Sequence, residues 1–244
     1  MSSLYPAGHP LNPVSLKDKQ RGIRGNFAPP LALRVHRTLS WVTRAELEDT
    51  DDDVRFILLW IGFNAAYATD VDRAVENERA LFQSFFATLV RFDSKHRIYD
   101  AVWKRFSQEL RILLDNQYVF QPFWAHHNGM PGNEDWEDRL ERSRHAIGTA
   151  LREHDTTKIL AILCDRLYVL RNQLVHGGAT WNSEVNRGQV GVGAAVLSCL
   201  LPIFIDLMMD NPDENWPMPH YPVIQYISRL LRMDNPREAL WGRR

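Results

Sequence analysis

The sequence of 244 residues has few of the features that assign a chain to a class at sight. It contains only two cysteines, Cys164 and Cys199, in apolar segments and without the close spacing of metal ligands. A disulfide framework is therefore not expected. Lysine and arginine number 29 against 30 aspartates and glutamates, which gives a formal net charge of −1. Because no excess of positive charge is present, any contact with nucleic acid must come from a local cluster.

Long uninterrupted hydrophobic runs are also scarce. The most apolar stretch, residues 190–209, is interrupted by glycines, a serine, Pro202 and Asp206, so we interpret it as a buried core helix and not as a membrane span. The first twenty residues contain several prolines and no apolar signal-peptide core. These features predict a cytoplasmic protein without a membrane-spanning segment.

The strict alternation of apolar and polar residues that marks β-strands is absent, whereas apolar residues recur at helical spacings of three and four along most of the chain. The sequence therefore predicts an all-α protein with one helical domain over residues 30–244. A Pro/Gly-rich, irregular N-terminal arm is expected over residues 1–29, and a long aromatic-rich loop over residues 116–136. The predicted helices cover residues 31–48, 53–68, 73–92, 98–114, 136–153, 156–176, 188–210 and 223–233.

The helix predicted over residues 156–176 ends in the unusual group RNQLVHGG. Its core-facing stripe consists of leucines at alternating spacings of three and four, namely Leu160, Leu163, Leu167, Leu170 and Leu174. On the helical wheel Arg171 lies at the edge of this stripe. Asn172 and His176 lie on roughly the opposite side, four residues apart and so direct neighbours. Two glycines then end the helix.

Arginine and histidine at this helix end have two interpretations. Histidine is the side chain whose charge changes nearest neutral pH, so it suits proton transfer, and arginine offers a permanently charged planar fork for a phosphate. The alternative is structural, because basic side chains in a last turn commonly satisfy free carbonyls and complement the helix dipole. For an arbitrary helix end, the structural interpretation is the more common one.

The motif R-N-x-x-x-H, formed by Arg171, Asn172 and His176 and followed by glycine, resembles the signature of the HEPN superfamily of helical proteins. The earlier apolar segment FILLWIGFNAAYA and the apolar helix after the motif resemble the Apea-like branch of that superfamily. The resemblance covers approximately residues 30–235. It implies a HEPN-like helical bundle and does not include the N-terminal arm or the aromatic-rich loop.

The resemblance further implies a metal-independent endoribonuclease without a cofactor, which acts as a homodimer with a composite site. His176 would be the acid–base group, Arg171 would hold the scissile phosphate, and Asn172 would orient one of them. RNA would be cleaved by its own 2′-OH to a 2′,3′-cyclic phosphate. Such domains often serve as toxins or antiviral defence effectors, which implies an antitoxin or regulatory partner. Since some members only bind RNA or protein, a non-catalytic binding or dimerisation module is the alternative.

Two further residues are candidates for a supporting role at this site. Asn64 is a polar amide in an apolar helix, so it needs a partner, which is either a backbone carbonyl or the cluster of Arg171 and His176. Tyr168, three residues before Arg171, can stack on an RNA base, although such aromatic residues more often cover the core.

The face of the helix that carries His176 also includes the apolar residues Ile162 and Val169. A helix with a second apolar face needs a second partner, and this pattern predicts a homodimer.

Elsewhere, His126 and His127 have no neighbours at metal-ligand spacing, so no metal site is expected there. The best local basic patch is in the helix predicted over residues 136–153, although acidic residues are interspersed in it.

Overall fold

The computed structural model describes residues 11–69, 75–184 and 186–221. These residues form ten α-helices and no β-strand beyond one isolated bridge between Thr69 and Pro219. The prediction of an all-α fold is therefore confirmed. The helix predicted over residues 223–233 lies outside the described residues.

The helices largely follow the predicted segments. They are α1 (Pro13–Ile23), α2 (Pro29–Ala45), α3 (Asp52–Tyr67), α4 (Val75–Phe92), α5 (Arg97–Asp100), α6 (Ser107–Asp115), α7 (Gln121–His127), α8 (Trp136–Glu153), α9 (Thr156–Val175) and α10 (Arg187–Asp210). Side-chain caps fix two of the starts, since Asp51 accepts from the backbone N–H of Val54 ahead of α3 and Asp155 accepts from that of Lys158 ahead of α9. The single helix predicted over residues 98–114 is instead divided by a π-helical turn at Ala101–Arg105.

The centre of the fold is α10, which is buried along nearly its whole length. By length and composition α10 could cross a membrane, and 83% of its most apolar window is buried inside the fold. Such burial on every side explains why its sequence is apolar nearly all round. At Gly193 an added Cβ would lie 2.9 Å from the Phe56 ring and 3.0 Å from Leu167. Glycine at this position therefore allows α10 to approach α3 and α9 closely.

The structure differs from the predicted irregular arm at residues 13–23, which form α1. The side chain of Asn12 caps this helix by accepting from the backbone N–H of Ser15, and Pro13 occupies its first turn, where proline is tolerated. Leu11 and Leu16 are buried in the main core. The high proline content of the segment suggested irregular structure, whereas Asn12 and Pro13 start a helix that packs on the rest of the described chain.

The structure also differs from the predicted loop at residues 116–136. This segment contains a 3-10 turn at Gln117–Val119 and the helix α7. Phe120 and Phe123 pack with Leu140 of α8 in a small apolar cluster of their own. The aromatic residues that suggested a loop thus supply a local core, which holds α7 on α8.

A buried carboxylate joins α1, α5 and α10. Asp206 of α10 accepts from Lys19 Nζ at 2.6 Å and from Arg97 Nη1 at 2.6 Å. Burial by itself raises the pKa of Asp206, but the hydrogen bonds and charges of Lys19 and Arg97 outweigh it and hold that pKa below its ordinary value. The ionised carboxylate therefore fastens the N-terminal helix to the central one.

A buried guanidinium caps the C-terminal end of α3. Arg34 of α2 is 1% exposed, and its nitrogens donate to carbonyl oxygens within and just after the last turn of α3 and in the segment that follows α10. These acceptors are Ala65, Ala66, Ala68 and Pro217. Burial, together with the charge of Arg37, lowers the pKa of Arg34 to about 10. One side chain thus caps α3 and anchors residues 211–219, the Pro-rich segment that follows α10.

Candidate functional site

The end of α9 is closed by its two glycines. His176 is the C-cap residue, and its backbone N–H donates to the carbonyl of Asn172 at 3.0 Å. Gly177 has φ +70, and the backbone N–H of Gly178 donates to the carbonyl of Gln173 at 2.7 Å. The backbone N–H of Gly177 also donates to the carbonyl of Leu174 at 3.3 Å. The bonds donated by Gly177 and Gly178 together form a Schellman motif, which needs a left-handed residue at Gly177. The backbone of the helix end is therefore satisfied without help from the basic side chains.

The structure brings Arg171 and Asn172 into direct contact. Arg171 Nη1 donates to Asn172 Oδ1 at 2.8 Å, and both side chains are half-buried. His176 is exposed one turn later, beside Asn172 on the helix surface. Among the described residues, Arg171 forms no ion pair, and neither Arg171 nor His176 donates to a backbone carbonyl from its side chain. Within the described residues, the guanidinium is thus positioned by a neutral amide and pairs with no carboxylate.

The two supporting candidates lie at different distances from this group. The ring of Tyr168 lies 6.3 Å from that of Trp60 in α3, and Tyr168 packs against the core one turn before Arg171. Later on α9, Leu174 lines a groove together with Val54, Ile57 and Leu58, which come earlier on α3 than Trp60. The helices α3 and α9 therefore run antiparallel. Asn64 follows Trp60 by four residues and therefore lies level with the part of α9 that precedes Tyr168. The structure does not place Asn64 beside the motif.

The second apolar face predicted for α9 is covered by the same chain. Val169 is 3% exposed, and Ile162 is half-buried against the main core. This face therefore leaves no surface for a partner, and a dimer cannot be argued from it. The apolar side chain exposed at the end of α9 is Val175, at 51%, between Arg171 and Asn172 on the helical wheel.

The segment after α9 returns to the N-terminus of α3, where two carboxylates hold it. Trp181 Nε1 donates to Asp51 Oδ2 at 2.8 Å. The backbone N–H of Asn182 and the guanidinium of Arg187 donate to Asp53 Oδ2 at 2.8 and 2.9 Å. The backbone N–H of Val54 and the indole of Trp181 lower the pKa of Asp51. Sequence reasoning identified Asp51 and Asp53 as the start of a helix and missed this second role.

A groove of about 280 Å³ lies between α3, the end of α9 and this returning segment. The residues that line it are Asp53, Val54, Ile57, Leu58, Leu174, Ala179 and Trp181. Trp181 is 74% exposed. Because Leu174 and Ala179 flank His176 in the chain, the groove and the motif occupy the same end of α9.

The basic residues of α8 are less suited to bind phosphate. Arg139 and Arg142 both pair with Asp135, and Arg144 pairs with Asp115 at 2.5 Å. The hydrogen bond from Arg139 makes the largest contribution to lowering the pKa of Asp135. Carboxylates thus already pair with three arginines of this predicted basic patch.

The end of α9 combines three chemical capabilities. Arg171, which pairs with no carboxylate of the described residues, can bind a phosphate, the exposed His176 can transfer a proton, and the groove can hold a flat apolar group. No group of three or more His, Cys, Asp or Glu side chains that could hold a metal ion occurs in the described part of the chain. No protein-family model, no curated protein and no solved structure matches this chain.

Proposed function

We propose that the protein is a metal-independent endoribonuclease of HEPN type, with its site at Arg171, Asn172 and His176. The observation that carries this proposal is the arginine held at 2.8 Å by a neutral amide, without a carboxylate partner among the described residues and one turn before an exposed histidine. A structural role in capping the helix would bring these side chains to backbone carbonyls. The Schellman bonds of Gly177 and Gly178 already satisfy that end of the helix.

The chemistry follows from the residue types. The 2′-OH of RNA attacks the adjacent phosphorus, so a bond forms between O2′ and phosphorus and the bond from phosphorus to O5′ breaks. One imidazole accepts the proton of the 2′-OH, and an imidazolium gives a proton to the departing O5′. Arg171 stabilises the negative charge that develops on the phosphate oxygens. The products are a 2′,3′-cyclic phosphate and a 5′-hydroxyl.

Metal independence is tested with a mixed pool of purified RNA in the presence of EDTA. We expect cleavage to continue, because the attack uses a nucleophile of the substrate and the proton transfers use His176. The cleaved ends should carry 2′,3′-cyclic phosphates, and the variant His176→Ala run in parallel controls for contaminating ribonucleases. Activity that disappears in EDTA and returns with Mg²⁺ or Mn²⁺ would contradict the proposed chemistry.

The two proton transfers take place on opposite sides of the phosphorus, and this favours two histidines over one. We therefore propose a homodimer in which two copies of the end of α9 face each other across a composite site. Val175, the exposed apolar residue beside Arg171, is suited to pack at such an interface.

Light scattering at micromolar concentration should accordingly give twice the monomer mass. Val175→Asp, which places a charge at the proposed contact, should give the monomer mass and lose cleavage together. Val14→Asp is the matched control, because Val14 is also exposed, at 71%, and lies on α1. A wild-type protein that cleaves RNA as a monomer would rule out the composite site.

The second candidate function is a non-catalytic module that binds RNA or a protein. The observation that favours it is the exposed groove beside Trp181, which proton transfer and phosphate binding do not require. Under either function we place the protein in the cytoplasm and expect no cofactor, and for the nuclease we expect RNA as its partner. For the nuclease we further expect a role as a toxin or antiviral effector, restrained by an antitoxin or a regulatory protein.

A further inference from the structure

The groove beside the motif is preorganised to hold a flat ligand. Its apolar lining comes from α3 and the end of α9, with Val54, Ile57, Leu58 and Leu174. The Trp181 indole also lines it and is fixed by its 2.8 Å hydrogen bond to the Asp51 carboxylate, while remaining 74% exposed. An aromatic ring that is both exposed and anchored loses little freedom on binding, so it suits stacking.

The polar groups around the groove limit the kind of ligand. Asp53 lines it, and the backbone N–H of Asn182 and the Arg187 guanidinium hold one of its oxygens, Oδ2. No described residue donates to its other oxygen, Oδ1, which leaves one acceptor of Asp53 available. Arg171 precedes Leu174 by one helical turn on α9, and its guanidinium carries a positive charge that pairs with no carboxylate of the described residues. The combination of an apolar wall, an available acceptor and a nearby cation complements a nucleobase attached to a phosphate.

We propose that this groove binds one unstacked base of single-stranded RNA, next to the phosphate held by Arg171. The inference rests on the proposed function, in which Arg171 holds the scissile phosphate. The base stacks on Trp181 and contacts the apolar side chains of α3. The exocyclic amine of adenine, cytosine or guanine, or the N3–H of uracil, can donate to Asp53. The groove therefore selects single-stranded over paired RNA, because only an unpaired base can leave its stack and enter it.

Binding is measured by fluorescence anisotropy with labelled single-stranded oligonucleotides of 2′-O-methyl adenosine, which lack the attacking hydroxyl and are not cleaved. The second probe is an abasic oligonucleotide with the same length and charge. Trp181→Ala should weaken binding of the adenosine oligonucleotide about tenfold, the scale of one base–aromatic stack. It should leave binding of the abasic oligonucleotide unchanged, and Trp181→Phe should retain most of the affinity for the adenosine probe.

Tyr118→Ala is the matched control. Tyr118 is 47% exposed and lies near the same end of α9, where its carbonyl accepts from Gln173. The residues that line the groove do not include Tyr118. We expect Tyr118→Ala to bind both probes as the wild-type protein does.

Two results would overturn the base site. An equal loss of affinity for both probes in Trp181→Ala would show that Trp181 acts without contacting a base. Unchanged RNA binding together with a reduced mass in light scattering would show that the groove receives a second copy of the chain. Cleavage of unmodified RNA is measured separately. Base-dependent binding without cleavage would support the base-binding groove and contradict the nuclease function. Cleavage without base-dependent binding would support the nuclease function and contradict the base-binding groove.

Discussion

His176→Ala should reduce RNA cleavage by at least about 100-fold, the usual contribution of a positioned acid–base group. Binding of uncleavable RNA should remain close to that of the wild type, because the imidazole acts in the transition state and not in the ground state. The fold should persist, since His176 is exposed and substitutions at such positions usually change stability by about 0.5 kcal/mol or less. Single-turnover cleavage and anisotropy, measured on the same preparation, separate the two effects.

Arg171→Ala should impair both RNA cleavage and the binding of uncleavable RNA, because the guanidinium binds the phosphate before the reaction and more strongly at the transition state. Arg171→Lys should recover little cleavage, since an ammonium keeps the charge but loses the planar pair of donors. Asn172→Ala should lower the cleavage rate more than the affinity, because Arg171 would keep its charge and lose the amide that positions it at 2.8 Å.

Arg142→Ala is the matched control for the removal of one positive charge. Arg142 is an exposed arginine of α8 that pairs with Asp135, and we expect its loss to leave cleavage unchanged. If Arg171→Ala or His176→Ala unfolds the protein by several kcal/mol, the polar residues are a structural lock at the end of α9. The non-catalytic binding module would then be the better interpretation.

The part of the site that lies within α9 could be predicted from the sequence, because it depends on local periodicity. Leu160, Leu163, Leu167 and Leu170 are all buried, as their spacing predicted, and the helix ends at the predicted glycines. The spacing of four positions from Asn172 to His176 places them on one face of any α-helix. Local geometry of this kind needs no knowledge of the rest of the fold.

The surroundings of the site could not be predicted, because contacts between distant parts of the chain create them. Trp181 meets Asp51 across 130 residues of sequence, and periodicity carries no signal for such a pairing. For the same reason Val169 was expected to face a partner and is instead buried by its own chain. Asn64 was considered for the site because of its polarity in an apolar helix and the resemblance to the HEPN superfamily, and the antiparallel packing of α3 on α9 places it away from the motif.

Arg34→Ala should destabilise the fold by roughly 3–5 kcal/mol, because it breaks a buried hydrogen-bond network and removes a large buried side chain. The guanidinium is 1% exposed and is held by four carbonyl oxygens, those of Ala65, Ala66, Ala68 and Pro217. Its removal would leave a cavity and several buried acceptors without donors, and each unsatisfied acceptor costs about 1–3 kcal/mol. Urea unfolding at neutral pH measures the loss of unfolding free energy, which lowers the urea concentration at the midpoint of the transition.

Arg34→Lys should recover only a minor part of this stability, because an ammonium at the end of a flexible chain cannot span carbonyls on both α3 and the Pro-rich segment. Arg37→Ala is the matched control. Arg37 lies one turn later on α2 and also donates to carbonyls, those of His220 and Tyr221, but nearer the surface. Its loss should cost about 1 kcal/mol or less, as is usual for hydrogen bonds near solvent, and it relieves the repulsion that contributes to the lowered pKa of Arg34.

A midpoint for Arg34→Ala within error of that for Arg37→Ala would contradict the role of Arg34 as the clamp of this region. The carbonyls of Ala65, Ala66 and Ala68 belong to the C-terminal end of α3, whereas Trp181 contacts its N-terminal end at Asp51. Because these two ends are separated by the length of a 16-residue helix, the folded fraction of Arg34→Ala should retain the site. Its cleavage rate per folded molecule should therefore equal that of the wild type, unlike that of His176→Ala, which folds normally and does not cleave.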